Sequence, residues 1–148
     1  MKVSDFLSAA DVTIDAAFAD KQKLLEELAR RAAPRVDLDP LLILAELDKR
    51  EELGSTGMGG GIALPHARFQ QLRQPFVTLV RLKKPIEFDA VDGKPVDTIA
   101  LLLLPNPRQG EQLGALACIA RKLRDPLVMK ALRKARDGAE IYRSLTID

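Results

Sequence analysis

The chain has a single cysteine and a single histidine in 148 residues. Cys118 has no internal disulfide partner, and one His with one Cys excludes an ordinary His/Cys zinc site within one chain. No stretch approaches the ~20 consecutive apolar residues that span a bilayer. The opening residues, Met1-Lys2-Val3-Ser4-Asp5, lack the basic and then apolar segments of a secretory signal. A net charge of +2 is too small to call for nucleic acid or an anionic membrane as partner. The chain is therefore expected to be cytoplasmic, without membrane insertion, nucleic-acid partner, metal or cofactor.

What is present reads as a soluble globular protein. Apolar residues make up 47% and charged residues 30%, and the length suits one domain over 1–148. Residues 1–19 read as weakly structured, with a short strand near Val12-Thr13-Ile14. Asp20 caps a first helix whose stripe is Leu24, Leu25, Leu28, Ala29 and Ala32, ended by Pro34. Asp39-Pro40 starts a second helix running to about Glu52, with Gly54 at its stop. Leu41 to Leu44 are apolar nearly all round, which predicts cover on more than one side. Phe76 to Leu82 is β-rich, Ile86-Glu87-Phe88 is a short strand candidate, and Asp92-Gly93 signals a turn. Val96 to Leu104 is continuously apolar from Ile99, as in a strand covered on both faces. A helix follows with Leu113, Leu116, Ala117, Ala120 and Leu123 on one face, then helices from Leu127 to Ala135 and from Asp137 to Leu145. Helices, strands and helices in that order predict a three-layer α/β/α sandwich around a mixed sheet.

The stretch that organises the chain is Gly54-Ser55-Thr56-Gly57-Met58-Gly59-Gly60-Gly61-Ile62-Ala63-Leu64-Pro65-His66. It reads as a flexible glycine approach, a brief strand and a stiff Leu-Pro pedestal carrying the imidazole. A lone histidine by itself reads as a packing or surface residue; the flanking loop is what points to chemistry. At an unperturbed pKa of ~6.5 a neutral ring predominates at pH 7 and offers one nitrogen lone pair. Such a ring can attack phosphorus if donors and positive charge surround the transferred oxygens. Backbone amides of the loop, including Gly57, Gly59 and Gly61, and the hydroxyls of Ser55 and Thr56 are candidate phosphate donors. Arg50, just upstream, can hold phosphoryl oxygens bidentately. The loop lacks the Gly-Lys-Ser/Thr ending of a nucleotide P-loop, and Ser55 lacks the Gly-x-Ser-x-Gly setting of a hydrolase elbow.

Arg50 through Ala67, with the glycine loop and Pro65-His66 in one order, closely resembles the active-site signature of the fructose/mannitol-type enzyme IIA domains. These belong to the bacterial phosphoenolpyruvate-dependent phosphotransferase system (PTS). Within that family the Gly-Ser-Thr-Gly loop and stand-alone length resemble the nitrogen-regulatory branch. The similarity continues through Pro85 to Asp97 and into Glu140-Ile141-Tyr142. The resemblance implies that His66 accepts a phosphoryl group from an HPr-like carrier and that Arg50 and the Ser55-Thr56 region steady it. It also implies that the two phosphorylation states bind regulatory targets differently, among them potassium transporters and sensor kinases. The family usually has a second histidine near the acceptor; Gln112 stands there, able to donate a hydrogen bond but not to carry charge. Position 60, often polar in the family, is glycine, which predicts a looser loop. The rival readings are a regulatory binding module of the same fold that scarcely exchanges phosphate, and a sugar-specific IIA subunit.

Other features read as structural. Cys118 points away from the stripe of its helix and reads as an inert thiol. Lys130, Arg133, Lys134 and Arg136 form a solvated basic face or a site for an acidic protein. Asp89, Asp92 and Asp97 lack metal-loop spacing.

Overall fold

The computed structural model describes residues 1–107 and 114–147. Its centre is a six-stranded mixed sheet in the order β1-β5-β6-β3-β2, with β4 also on β6. The strands are β1 Val12–Ala16, β2 Gly57–Gly59, β3 Ile62–Ala63, β4 His66–Phe69, β5 Phe76–Ile86 and β6 Val96–Pro105. β5 and β6 are antiparallel, whereas β1 runs parallel to β5, and β3 and β4 run parallel to β6. The continuous apolar run of β6 alternates between two layers. Ile99, Leu101 and Leu103 face helices α1 (Lys21–Val36) and α2 (Pro40–Glu52). Ala100, Leu102 and Leu104 face α3 (Ala115–Arg124), α4 (Pro126–Lys134) and α5 (Gly138–Thr146). All six side chains are at most 3% exposed, which is why no polar residue interrupts the strand. The expected three layers are present.

Local signals place most helix ends. Asp20, Asp39, Asp125 and Asp137 each accept a backbone N–H of the helix they open, at 2.8–2.9 Å. Gly93 donates to Ala90 O at 2.9 Å in the Asp92-Gly93 turn.

Four expectations are corrected. Pro34 does not end α1, which continues to Val36 before Asp37 turns left-handed at φ 55°. The proline sits exposed in the last turn, where the carbonyl it leaves without a helical donor can face water. The N-terminal residues are ordered by long-range packing: Val3 and Leu7 are 2% exposed in the α3/α5 layer. α2 is covered on one side only. Ile43 and Leu47 are buried, while Leu41 is 73% exposed, because no layer lies beyond this helix. β5 runs on through Pro85 to Ile86, so no separate strand forms at 86–88; Phe88 is instead fully buried from a loop.

Leu101→Ala should lower stability by about 2–5 kcal/mol through lost burial and a residual cavity. Urea unfolding is expected to show a lower midpoint with an unchanged slope.

Candidate functional site

β3 and β4 are one strand with a break. Ile62 pairs with Thr98 and His66 with Leu102, so the register against β6 is the same on both sides of Leu64-Pro65. Pro65 has no N–H to give to a ladder, but its carbonyl accepts from Leu102 N at 3.0 Å, and Leu64 N donates to Thr56 O at 3.0 Å. Both residues are buried. The pedestal is therefore fixed from two sides, and the half-buried imidazole stands on it.

The ring's tautomer follows from its neighbours. Nδ1 lies 2.7 Å from Leu64 O, and a carbonyl only accepts, so Nδ1 carries the proton. Nε2 then holds the lone pair, and Arg50 Nε donates to it at 3.3 Å. Arg50 Nη1 donates to Gly54 O at 2.8 Å, so the turn that ends α2 aims the guanidinium. Burial pushes the His66 pKa below its ordinary value. The Leu64 hydrogen bond opposes that shift, Arg50 adds to it, Glu51 opposes it, and Arg68 adds to it. A neutral ring at neutral pH, its Nε2 lone pair accepting from Arg50, is the result.

The glycine loop is not the flexible approach its composition predicts. Thr56 donates its N–H and its hydroxyl to Glu51, at 3.0 and 2.5 Å. Glu51 in turn pairs with Lys21 Nζ at 3.0 Å. Ser55 Oγ donates to Phe88 O at 2.6 Å and accepts from Gly57 N at 3.0 Å. Gly60 is tied at both ends: its N–H donates to Asp92 Oδ2 at 3.0 Å, and its carbonyl accepts from Arg133 Nη2 at 2.6 Å. The loop amides of Thr56, Gly57 and Gly60 are thus spent inside the protein. Glycine is needed for space. A Cβ on Gly57 would sit 2.8 Å from Ala90 Cβ, and one on Gly61, at φ +80°, would meet the Arg133 guanidinium at 2.6 Å.

An open cavity of about 630 Å³ lies over the ring. Of the expected site residues, His66, Arg50, Ser55, Thr56 and Gly57 line it. Gly59 and Gly61 do not; they belong to the folded-back end of the loop, and Gly61 O accepts from Asp97 N and Thr98 N. Gln112 and Leu113 lie outside the described residues. The opposite wall is α3, with Leu116, Ala117, Ala120, Arg121 and Arg124. The sequence conceals this wall, because the apolar face through Leu116, Ala117 and Ala120 lies beside the one that α3 turns to the core. The core-facing residues are Ala115, Ile119 and Leu123, which leaves Leu116, Ala117 and Ala120 half-buried over the cavity. The expected basic face on α4 is partly neutralised, since Arg133 pairs with Asp97 and Arg136 with Glu140. Cys118 donates to Met1 O at 3.4 Å, partly buried and away from the cavity lining. Among the described residues no group of three metal-ligating side chains comes together.

Comparison with known proteins shows the family and the fold. Residues 5–147 match the family model for EIIA 2 of the phosphoenolpyruvate-dependent sugar phosphotransferase system. A nitrogen regulatory protein of Bradyrhizobium diazoefficiens is 37% identical over 147 residues, spanning 99% of this chain and 96% of the relative. The crystal structure of nitrogen regulatory protein IIA-Ntr from Neisseria meningitidis superposes with a TM-score of 0.90 at 32% identity, over 97% of this chain and 99% of that one. A chain from the complex of mannitol enzyme IIA with phosphorylated mannitol enzyme IIB of Escherichia coli shares the fold, with a TM-score of 0.77 at 16% identity over 94% of this chain and 96% of that one.

His66 should titrate by NMR with a midpoint below the ordinary imidazole value of about 6.5, and Arg50→Gln should move that midpoint upward by removing a nearby positive charge. Above about pH 6.5 the ring is neutral folded and unfolded, and its contribution to stability is complete. As pH falls through the unfolded and then the lower folded pKa, the unfolded chain takes the proton first and stability drops. A folded midpoint at or above 6.5 would contradict the tautomer and burial described here.

Proposed function

Because the chain belongs to the EIIA 2 family of the phosphoenolpyruvate-dependent sugar phosphotransferase system, we propose that it is a phosphoryl carrier that accepts phosphate on His66 from an HPr-like protein and regulates partners by its phosphorylation state. The observation that carries the proposal is the Nε2 lone pair of His66, presented to an open cavity with Arg50 beside it. In the transfer, Nε2 forms a bond to phosphorus while the donor's P–N bond breaks, its electron pair returning to the donor imidazole. The proton on Nδ1 stays in place, and Leu64 O stabilises the positive charge that builds on the ring. Once Nε2 is bonded to phosphorus it no longer accepts from Arg50. The guanidinium, held at Nη1 by Gly54 O, is then free to turn its remaining donors to the phosphoryl oxygens.

Ser55, Thr56 and Gly57 form the phosphate-facing wall in this reading, and Gly59 and Gly61 act by keeping the loop folded. Gln112 enters on its place in the sequence alone, as an amide donor to the ring or its phosphate. The relatives named as nitrogen regulatory proteins support a regulatory role over a sugar-specific one. The regulated targets proposed are protein partners of the potassium-transporter or sensor-kinase type. Such a carrier works in the cytoplasm. Among the described residues no helix is long and apolar enough to cross a membrane.

Incubation with phosphoenolpyruvate, enzyme I and the HPr-like carrier should add one phosphate, stable to alkali and labile to acid, as read by intact-mass spectrometry. His66→Ala should take none, and a phosphate retained by that variant overturns the proposal. Arg50→Ala should slow transfer about 10²-fold, the size expected when one charged donor to the transferred group is lost. Gln112→His should raise the rate if the native amide limits transfer; an unchanged fast rate removes the reading in which the chain scarcely exchanges phosphate.

A further inference from the structure

The β2–β3 hairpin is too small to hold its own shape. β2 is three residues, two of them glycine, and among the described residues it pairs only with β3, which is two residues. A ribbon of this size has little stability of its own in water, yet Gly57 and Met58 from β2 line the cavity over His66. Its tip is held from outside, where Asp92 takes the Gly60 N–H and Arg133 Nη2 donates to the Gly60 carbonyl at 2.6 Å. Arg133 is aimed by Asp97, whose carboxylate accepts from Arg133 Nε at 3.2 Å, from Nη2 at 3.1 Å and from Thr98 Oγ1 at 3.1 Å. Arg133 sits in the last turn of α4, where a basic side chain ordinarily turns to the open carbonyls of its own helix. Those carbonyls are served instead by Arg81 from β5, whose Nη1 donates to Leu132 O at 2.9 Å and to Ala135 O at 2.6 Å. Arg133 thus reaches away from its helix to the hairpin, and the missing side chain of Gly61 gives the guanidinium its place there.

We propose that Arg133 is a positioning residue for phosphoryl transfer: with Asp97 it pins the hairpin tip, so that Gly57 and Met58 keep their place in the wall beside His66. The inference deepens the phosphocarrier reading and rests on it. Arg133 does not itself line the cavity, so it acts through the hairpin and not on the phosphoryl group. Without the pin, the glycine-rich limb beyond Gly57, whose carbonyl accepts from Val91 N at 3.0 Å, is free to swing. Water then gains the β2 side of the ring, and the acceptor spends less time in reacting geometry. An ion pair this open to solvent adds little to global stability, so its removal tests the wall and not the fold.

The test compares Arg133→Ala and Asp97→Asn with the native protein in three measurements: urea unfolding, NMR titration of His66, and phosphate transfer to His66. Transfer is followed from the phosphorylated HPr-like carrier, which must dock, and from phosphoramidate, a small chemical donor that need not. Both variants should unfold near the native midpoint, with the His66 titration moved upward. Charge alone would move the two titrations in opposite directions, since one variant loses a cation and the other an anion; a shared upward shift reports the opened wall. For carrier transfer, kcat should fall about tenfold at unchanged KM, the cost of a small misplacement of the reacting groups, and phosphoramidate labelling should slow by the same factor. Arg133→Lys, which keeps a donor for Gly60 O, should recover most of the loss, and Lys134→Ala, which removes the next charge on the same helix end, should change neither rate. An unchanged titration and phosphoramidate rate in both variants overturn the proposal, as does a loss confined to the KM for the carrier, which would make Arg133 a docking charge. The titration involves no phosphate, so it tests the pin even if the native protein takes phosphate from neither donor, a result that would sink the phosphocarrier reading alone.

Discussion

The hydrogen bond from His66 Nδ1 to Leu64 O decides the chemistry of the site. It assigns the proton to one nitrogen and the lone pair to the other, and it fixes the plane of the ring. It exists because Leu64 belongs to a buried, doubly anchored pedestal: its N–H goes to Thr56 and the next carbonyl receives Leu102 N–H. Burial would otherwise leave the ring's polar edge unsatisfied, and with this bond it costs little. The same burial lowers the pKa, which keeps the ring unprotonated at neutral pH, as the proposed attack on phosphorus requires.

The loop before the ring is a rigid scaffold anchored in both helical layers. Glu51 at the end of α2 holds Thr56 from one side, and Arg133 on α4 holds Gly60 from the other. Lys21, over the Phe88 ring at 4.5 Å, joins the Glu51 carboxylate to the turn that Ser55 also reaches. In the proposed transfer, phosphate stabilisation would fall chiefly to Arg50, whose position is set by the same helix end. One turn of chain thus supplies the guanidinium and, through the neighbouring carboxylate, the restraint on the loop.

Much of this was legible in the sequence because it is written in short-range signals. Asp20, Asp39 and Asp137 announced three helix starts, and the apolar run of β6 announced a covered strand. Arg50 and His66 were readable from the order of arginine, glycines and Pro-His. What could not be read was long-range. The loop glycines suggested freedom, but Asp92, Asp97 and Arg133, far along the chain, take that freedom away. The α3 wall was hidden for a related reason: Leu116, Ala117 and Ala120 share apolar character with the core face beside them. Periodicity alone does not say which of two adjacent apolar faces looks inward. Leu41 carried the converse lesson, an apolar residue on a helix with nothing above it.

The unbroken register across Leu64-Pro65 makes the site sensitive to chain length as well as to residue type. Side chains on a pleated strand alternate, so Leu64 and His66 share the α3 side while Ala63 and Ala67 share the α1/α2 side. Loss or gain of one residue between Ala63 and His66 would change the parity of the imidazole and turn it into the opposite hydrocarbon layer, out of reach of solvent and of any donor. The spacing of that short segment is therefore as much a part of the site as the ring it delivers.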